Sequence, residues 1–126
     1  MPVPNADRLL VVEDDADARQ VLFEVLTRAG YSVITVDDGQ QACDLLEKGL
    51  RPRLIIVDWI LPKVPGEDVV RYAHEDQNLR HVPIIVITGF EVDLRQMKVD
   101  ATFKKPVDPP ALVECVRRLI DRPTRE

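Results

Sequence analysis

Leu54-Ile55-Ile56-Val57-Asp58 is the stretch on which the fold turns. Four apolar residues, three of them β-branched, end abruptly on a carboxylate. An unbroken apolar run of this length is what a strand covered by helices on both faces requires, whereas a strand with one wet face would alternate. Pro62, Pro65 and Gly66 then make an ordered turn. A helix is predicted from roughly Glu67 to Glu75, with Val69, Val70 and Ala73 turned inward.

The same pattern repeats on either side. Upstream, the strand Leu9-Leu10-Val11-Val12 runs into Glu13-Asp14-Asp15. Asp15 is placed to N-cap a helix over about Ala16 to Ala29, where Ala18, Val21, Leu22, Val25 and Leu26 recur at helical spacing and Gly30 marks the end. Ser32 to Val36 reads as a second strand, and Gly39 to Lys48 as a second helix with Ala42, Leu45 and Leu46 facing the sheet. Downstream, Pro83 to Ile87 forms a fourth strand ending at Thr88-Gly89, and Ala101 to Lys104 a brief fifth before Lys105-Pro106. Pro109-Pro110 opens a last helix to about Arg122, with an inward stripe of Leu112, Val113, Val116, Leu119 and Ile120.

Strands interleaved with helices, without a hairpin signal, predict an α/β domain with a flavodoxin-like, doubly wound, five-stranded parallel sheet in the order 2-1-3-4-5. The domain is expected over residues 8–122, with residues 1–7 and 123–126 as flexible termini. At 126 residues and a formal charge of −5, the chain suits one globular domain, and its composition does not suggest a nucleic-acid-binding surface. No apolar stretch approaches the length of a membrane span and Met1 to Asp7 lacks a signal-peptide core, so a cytoplasmic location is expected. Cys43 and Cys115 sit in apolar helical contexts without CxxC spacing and read as reduced core residues.

In an open parallel sheet the carboxyl ends of the strands line one crevice. Glu13, Asp14, Asp58, Thr88 and Lys105 all fall at such ends, so residues distant in sequence are expected at one site. Clustered carboxylates repel, and without a cation at least one is expected to hold its proton more tightly than usual. Mg²⁺, which prefers oxygen ligands, would relieve this. A carboxylate at a strand end can also attack an electrophilic phosphorus when its charge is balanced, and Lys105 and Thr88 would supply an ammonium and a hydroxyl for the transferring oxygens. This set is suited to an aspartyl-phosphate.

From LLVVEDD through IIVDWILP and IIVITG to FKKP, over about Arg8 to Ile120, the chain resembles the receiver domain of bacterial two-component response regulators. The resemblance implies Asp58 as phosphoacceptor. It implies Mg²⁺ held by the acidic pair Glu13 and Asp14, Asp58 and the backbone carbonyl of Ile60, with Thr88 and Lys105 on the phosphoryl group. The donor would be a phosphohistidine on a sensor histidine kinase or histidine phosphotransfer protein. The chain would be a phosphoacceptor signalling domain rather than an enzyme, performing only its own phosphotransfer and autodephosphorylation. With no DNA-binding domain expected, its signal would leave through a protein surface.

Two departures from the family pattern bear on function. The position three before the lysine, usually aromatic, is Thr102, and strand alternation would turn Phe103 to the other face. The stretch from Thr88 to Lys105 is several positions shorter than the family's common spacing, so the helix between the fourth and fifth strands is expected to be short or irregular. Thr88-Gly89-Phe90 resembles a receiver subgroup with a Thr-Gly-aromatic motif there. Gly89 to Val99 is expected to order on phosphorylation, and apolar Ile60 and Phe90 to slow hydrolysis by obstructing the attacking water.

Other readings remain beside these. A dehalogenase-type phosphatase would need an acid two residues after Asp58, where Ile60 stands, and a flavodoxin would need a hydroxyl- and glycine-rich loop where this chain has carboxylates. A receiver fold used as a binding module without phosphorylation is the alternative that survives. His74 and His81 read as exposed or locally bonded, Trp59 as a partly exposed flank of the site, and Arg117, Arg118 and Arg122 as a solvated helix end.

Overall fold

The computed structural model describes residues 8–122; both termini expected to be flexible lie outside them. The elements run β1 (Arg8–Val12), α1 (Ala16–Arg28), β2 (Ser32–Val36), α2 (Gly39–Glu47), β3 (Leu54–Asp58), α3 (Gly66–Glu75), β4 (Ile84–Thr88), β5 (Ala101–Lys104) and α4 (Pro109–Asp121). The strands pair in parallel in the order β2-β1-β3-β4-β5. Val12 lies opposite Val57 and Asp58 opposite Ile87, so the carboxyl ends of the central strands are level.

The alternation of strand side chains divides the core in two. Leu10, Val12, Ile55, Val57, Ile84 and Val86 meet Ala42 and Leu46 of α2 and Val69, Val70 and Ala73 of α3. Leu9, Val11, Leu54, Ile56, Ile85 and Ile87 meet Leu22 and Leu26 of α1 and Leu112, Cys115 and Val116 of α4. Helix ends follow local chemistry. The Asp15 carboxylate accepts the Asp17 N–H, Asp38 caps α2 through the Gln41 N–H at 2.8 Å, and Gly30 at φ +105 carries the chain out of α1. Both cysteines are free, Cys115 buried and Cys43 half-buried.

One expectation needs correction. Val21 is 51% exposed rather than inward, because α1 buries only the centre of its apolar stripe through Leu22 and Leu26. His74 is half-buried, and burial lowers its pKa. Between Thr88 and Ala101, where a short or irregular helix is expected, the described residues form only a turn at 95–98.

Length explains the missing helix. Residues 89–100 must travel back along a strand's length, about 15 Å. A helix covering that distance takes roughly ten residues and leaves almost nothing for two loops. The Asp93 side chain instead accepts the Arg95 N–H at 3.1 Å, Leu94 is buried as an anchor, and Lys98 at φ +56 turns the chain toward β5.

Candidate functional site

Each predicted site residue lies at the carboxyl end of a strand or just beyond it. Asp58 ends β3 and is only 5% exposed. One carboxylate oxygen, Oδ1, accepts the Ile60 N–H at 3.0 Å; the other, Oδ2, faces Lys105 Nζ at 2.8 Å. The turn after β3 is pressed against it. A Cβ on Gly66 would stand 2.3 Å from the Asp58 carbonyl oxygen and 2.8 Å from Trp59 Cα, so the close approach admits only glycine. The Gly66 N–H donates to the Trp59 carbonyl at 3.1 Å and ties the turn shut.

Glu13 follows β1 and is 1% exposed. Its carboxylate accepts the Asp15 N–H at 3.1 Å and lies 3.1 Å from Lys105 Nζ. Arg19 reaches back from α1 to the carbonyls of Glu13 and Asp14 and holds the acidic loop. Asp14 is exposed, yet Glu13, Asp14 and Asp58 can each offer a carboxylate oxygen within 4.8 Å of the others. An all-oxygen set of this kind fits a hard divalent cation such as Mg²⁺.

Electrostatics reflect the crowding. Burial, with the neighbouring Asp58 carboxylate adding to it, pushes the Glu13 pKa up to about 7, while the Asp15 N–H and Lys105 work in the other direction. Burial alone would lower Lys105, but its contacts with Asp58 and Glu13 outweigh that and hold it above its ordinary value. One ammonium thus stands between two nearly buried carboxylates.

Thr88 ends β4, is 2% exposed, and its Oγ1 accepts the Phe90 N–H at 3.1 Å. Its carbonyl accepts the Lys105 N–H at 2.9 Å, so the hydroxyl and ammonium residues are linked through the backbone. Ile60 and Phe90 are 56% and 61% exposed beside the site. Thr102 is exposed on the groove that Phe90 also lines, whereas Phe103 packs on the opposite face against the α1 and α4 core. Trp59 is half-buried against the α2 and α3 core.

Sequence reading did not anticipate the roles of Gly66, Arg19 or Asp38. Gly66 was legible only as a turn residue, since nothing local says how near the Asp58 backbone lies. Asp38 also meets Lys63, itself at φ +67, at 3.5 Å, and Gly39 lets Val64 approach the start of α2, fastening the turn after β3 to its neighbour.

The chain and its fold are similar to known proteins. Residues 9–117 match the family described as response regulator receiver domain. The polar-differentiation response regulator DivK of Brucella anthropi is 32% identical over 114 residues, which cover 86% of this chain and 92% of that protein. The receiver domain of a sensor histidine kinase from Pseudomonas aeruginosa PAO1, solved with a magnesium ion in its active-site cleft, superposes with a TM-score of 0.85 at 29% identity, covering 92% of this chain and 98% of that one. The chemotaxis response regulator CheY4 of Vibrio cholerae superposes at 0.80 with 26% identity, covering 89% and 97%.

Proposed function

This chain belongs to the response regulator receiver domain family, a family of two-component signalling, and from that premise we propose that residues 8–122 form a receiver that accepts a phosphoryl group on Asp58. The observation that carries the reading is Lys105 Nζ, 2.8 Å from Asp58 Oδ2 and 3.1 Å from Glu13 Oε1. A fixed ammonium beside a recessed carboxylate is suited to neutralising the oxygens of an incoming phosphoryl group.

In the proposed transfer an Asp58 carboxylate oxygen attacks the phosphorus of a phosphohistidine on a sensor histidine kinase or phosphotransfer protein. The O–P bond forms as the N–P bond breaks, and the departing imidazole nitrogen keeps the electron pair and takes up a proton. Lys105 moves from Asp58 to a phosphoryl oxygen and the Thr88 hydroxyl donates to another. Glu13, Asp14, Asp58 and the Ile60 carbonyl would hold Mg²⁺, which supplies positive charge to the phosphoryl oxygens when bound. Glu13, its pKa near 7, must give up its proton to join that set.

Hydrolysis returns the domain to its starting state when water attacks the aspartyl-phosphate, and exposed Ile60 and Phe90 flank its approach. Catalysis in this reading is confined to the domain's own phosphorylation and dephosphorylation. The output is a protein surface formed by β4, the helix-free connection, β5 and α4. Thr88, drawn to the phosphoryl group, pulls on Phe90 through its hydrogen bond, and residues 89–99 become more ordered. Among the described residues no helix is long and apolar enough to cross a membrane.

The test is intact mass after incubation with acetyl phosphate, with and without Mg²⁺, for the wild type and Asp58→Asn. One added phosphoryl group, dependent on Mg²⁺ and lost in the variant, is expected. No gain from acetyl phosphate or from a panel of phosphohistidine donors would replace this reading with that of a binding module independent of phosphorylation.

A further inference from the structure

At the end of the sheet away from Asp58 the chain surrounds an open groove of about 830 Å³. It lies where Arg53 and Val82-Pro83 lead into β3 and β4, bounded by the end of α3, residues 98–100 and the last turn of α4. The length of β3, about 15 Å, separates Arg53 from Asp58, and the groove shares no residue with the phosphoryl site.

Charge sets this groove apart. The chain carries a formal −5, yet the groove is lined by Arg53, Arg80, Lys98 and Arg122, with His74 and His81, against the single carboxylate of Asp100. Both oxygens of that carboxylate are engaged: Oδ2 accepts the Ile84 N–H at 2.8 Å and Oδ1 the Arg122 guanidinium at 2.7 Å. Structural roles account for two of the cations. Arg122 sits on Asp100, and Arg53 donates to the Ile120 carbonyl near the end of α4 at 3.3 Å. These contacts also fix both guanidinium groups at the groove.

Arg80 and Lys98 have no ion-pair partner among the described residues. Lys98 occupies its place at φ +56, a conformation that glycine or asparagine would adopt more readily and that contributes no cation with either of them. The lining is not charged throughout: Pro52, Val82 and Leu119 are buried and supply apolar surface.

Convergent cations over an apolar floor select a ligand with clustered negative charge on one part and a flat or apolar body on the other. The volume falls in the range of small-molecule sites. Phosphate groups suit arginine forks and a lysine point charge. We propose that the groove binds a nucleotide-sized phosphorylated small molecule, with Arg53, Arg80, Lys98 and Arg122 around its phosphates and Val82 and Leu119 beneath its base. Lys98 and Asp100 belong to the connection between β4 and β5, so the ligand holds from one end the segment that Thr88 borders at the other.

Isothermal titration calorimetry on the full chain, in EDTA to remove divalent cations, tests this with ATP, GTP and adenosine as probes and with oligoglutamate and a short DNA duplex as competitors for the reading. ATP or GTP should bind and adenosine should not. Arg80→Glu and Lys98→Glu should each weaken binding about tenfold, while Arg117→Glu, on exposed α4 surface outside the groove, should leave it unchanged. Arg80→Gln and Lys98→Gly provide variants that remove charge without threatening the fold, Lys98→Gly also relieving the left-handed backbone, and both should weaken binding as well. Absence of ATP and GTP binding at millimolar concentration, affinity indifferent to these substitutions, or tighter binding of oligoglutamate or DNA would overturn the proposal. Acetyl phosphate labelling of Asp58 in the same variants should be unaffected, which separates failure of this site from failure of the phosphoacceptor reading.

Discussion

Lowering the pH should stabilise this protein through Glu13, a direction opposite to that of most carboxylates. In the unfolded chain its carboxyl ionises near 4.5; in the fold burial raises this to about 7. Between those values the native state binds a proton that the unfolded state has released, so stability falls as pH rises. The contribution is fully present below about 4.5 and is lost as the pH passes 7, with an upper limit of about 3 kcal/mol. Other carboxylates, such as Asp38 with its lowered pKa, act in the reverse sense, so the quantity to measure is a difference. Urea unfolding followed by circular dichroism, for wild type and Glu13→Gln from pH 4.5 to 8, isolates it. The wild type should lose stability relative to the variant over that range, in the absence of divalent ions. Millimolar Mg²⁺ should recover stability in the wild type above pH 7, where the deprotonated carboxylate can serve as a ligand. A difference that stays flat, or that rises with pH, would refute the account of Glu13 as a buried carboxylate crowded by Asp58.

Gly66→Ala should destabilise the fold by about 2 kcal/mol and slow labelling of Asp58, since its Cβ must displace the Asp58 and Trp59 backbone; an unfolding midpoint equal to wild type would contradict the close approach. Ile60→Asn and Phe90→Ala should each shorten the aspartyl-phosphate lifetime several-fold, measured by loss of the phosphorylated mass after quenching the donor, because both side chains flank the site. Phosphorylation should slow amide hydrogen exchange in residues 89–99; unchanged exchange there would remove the ordering step. Lys105→Met should abolish labelling with little change in secondary structure, and Mg²⁺ should stabilise this variant more than wild type, because two carboxylates then lack their shared ammonium.

The strands were legible because each central one is a short apolar run buried on both faces, a pattern that helices of this fold do not imitate. Ser32 to Val36 and Ala101 to Lys104 emerge with the expected ends, and the observed order is the one that right-handed crossovers with short connections favour. Helix faces were read less well. Periodicity puts Val21 on the stripe with Leu22, but how wide a strip α1 buries depends on where α4 and the sheet lie. The segment 89–100 shows the opposite case: its shortness was visible, while the choice of a turn over a distorted helix depended on the distance between β4 and β5.

Sequence alone determined the alternation of strands and helices, the placement of Glu13, Asp14, Asp58, Thr88 and Lys105 at strand ends, and the opposite faces of Thr102 and Phe103, because these depend on local periodicity and on chain direction in a parallel sheet. Tertiary structure decided what depends on distance and burial between separate elements. It fixed which carboxylates Lys105 bridges, how strongly Glu13 holds its proton, and why position 66 excludes a side chain. It also gathered Arg53, Arg80, Lys98 and Arg122 from four separate parts of the chain around one groove. Coulombic and steric energies fall off over a few ångströms, and no spacing along the chain encodes separations on that scale.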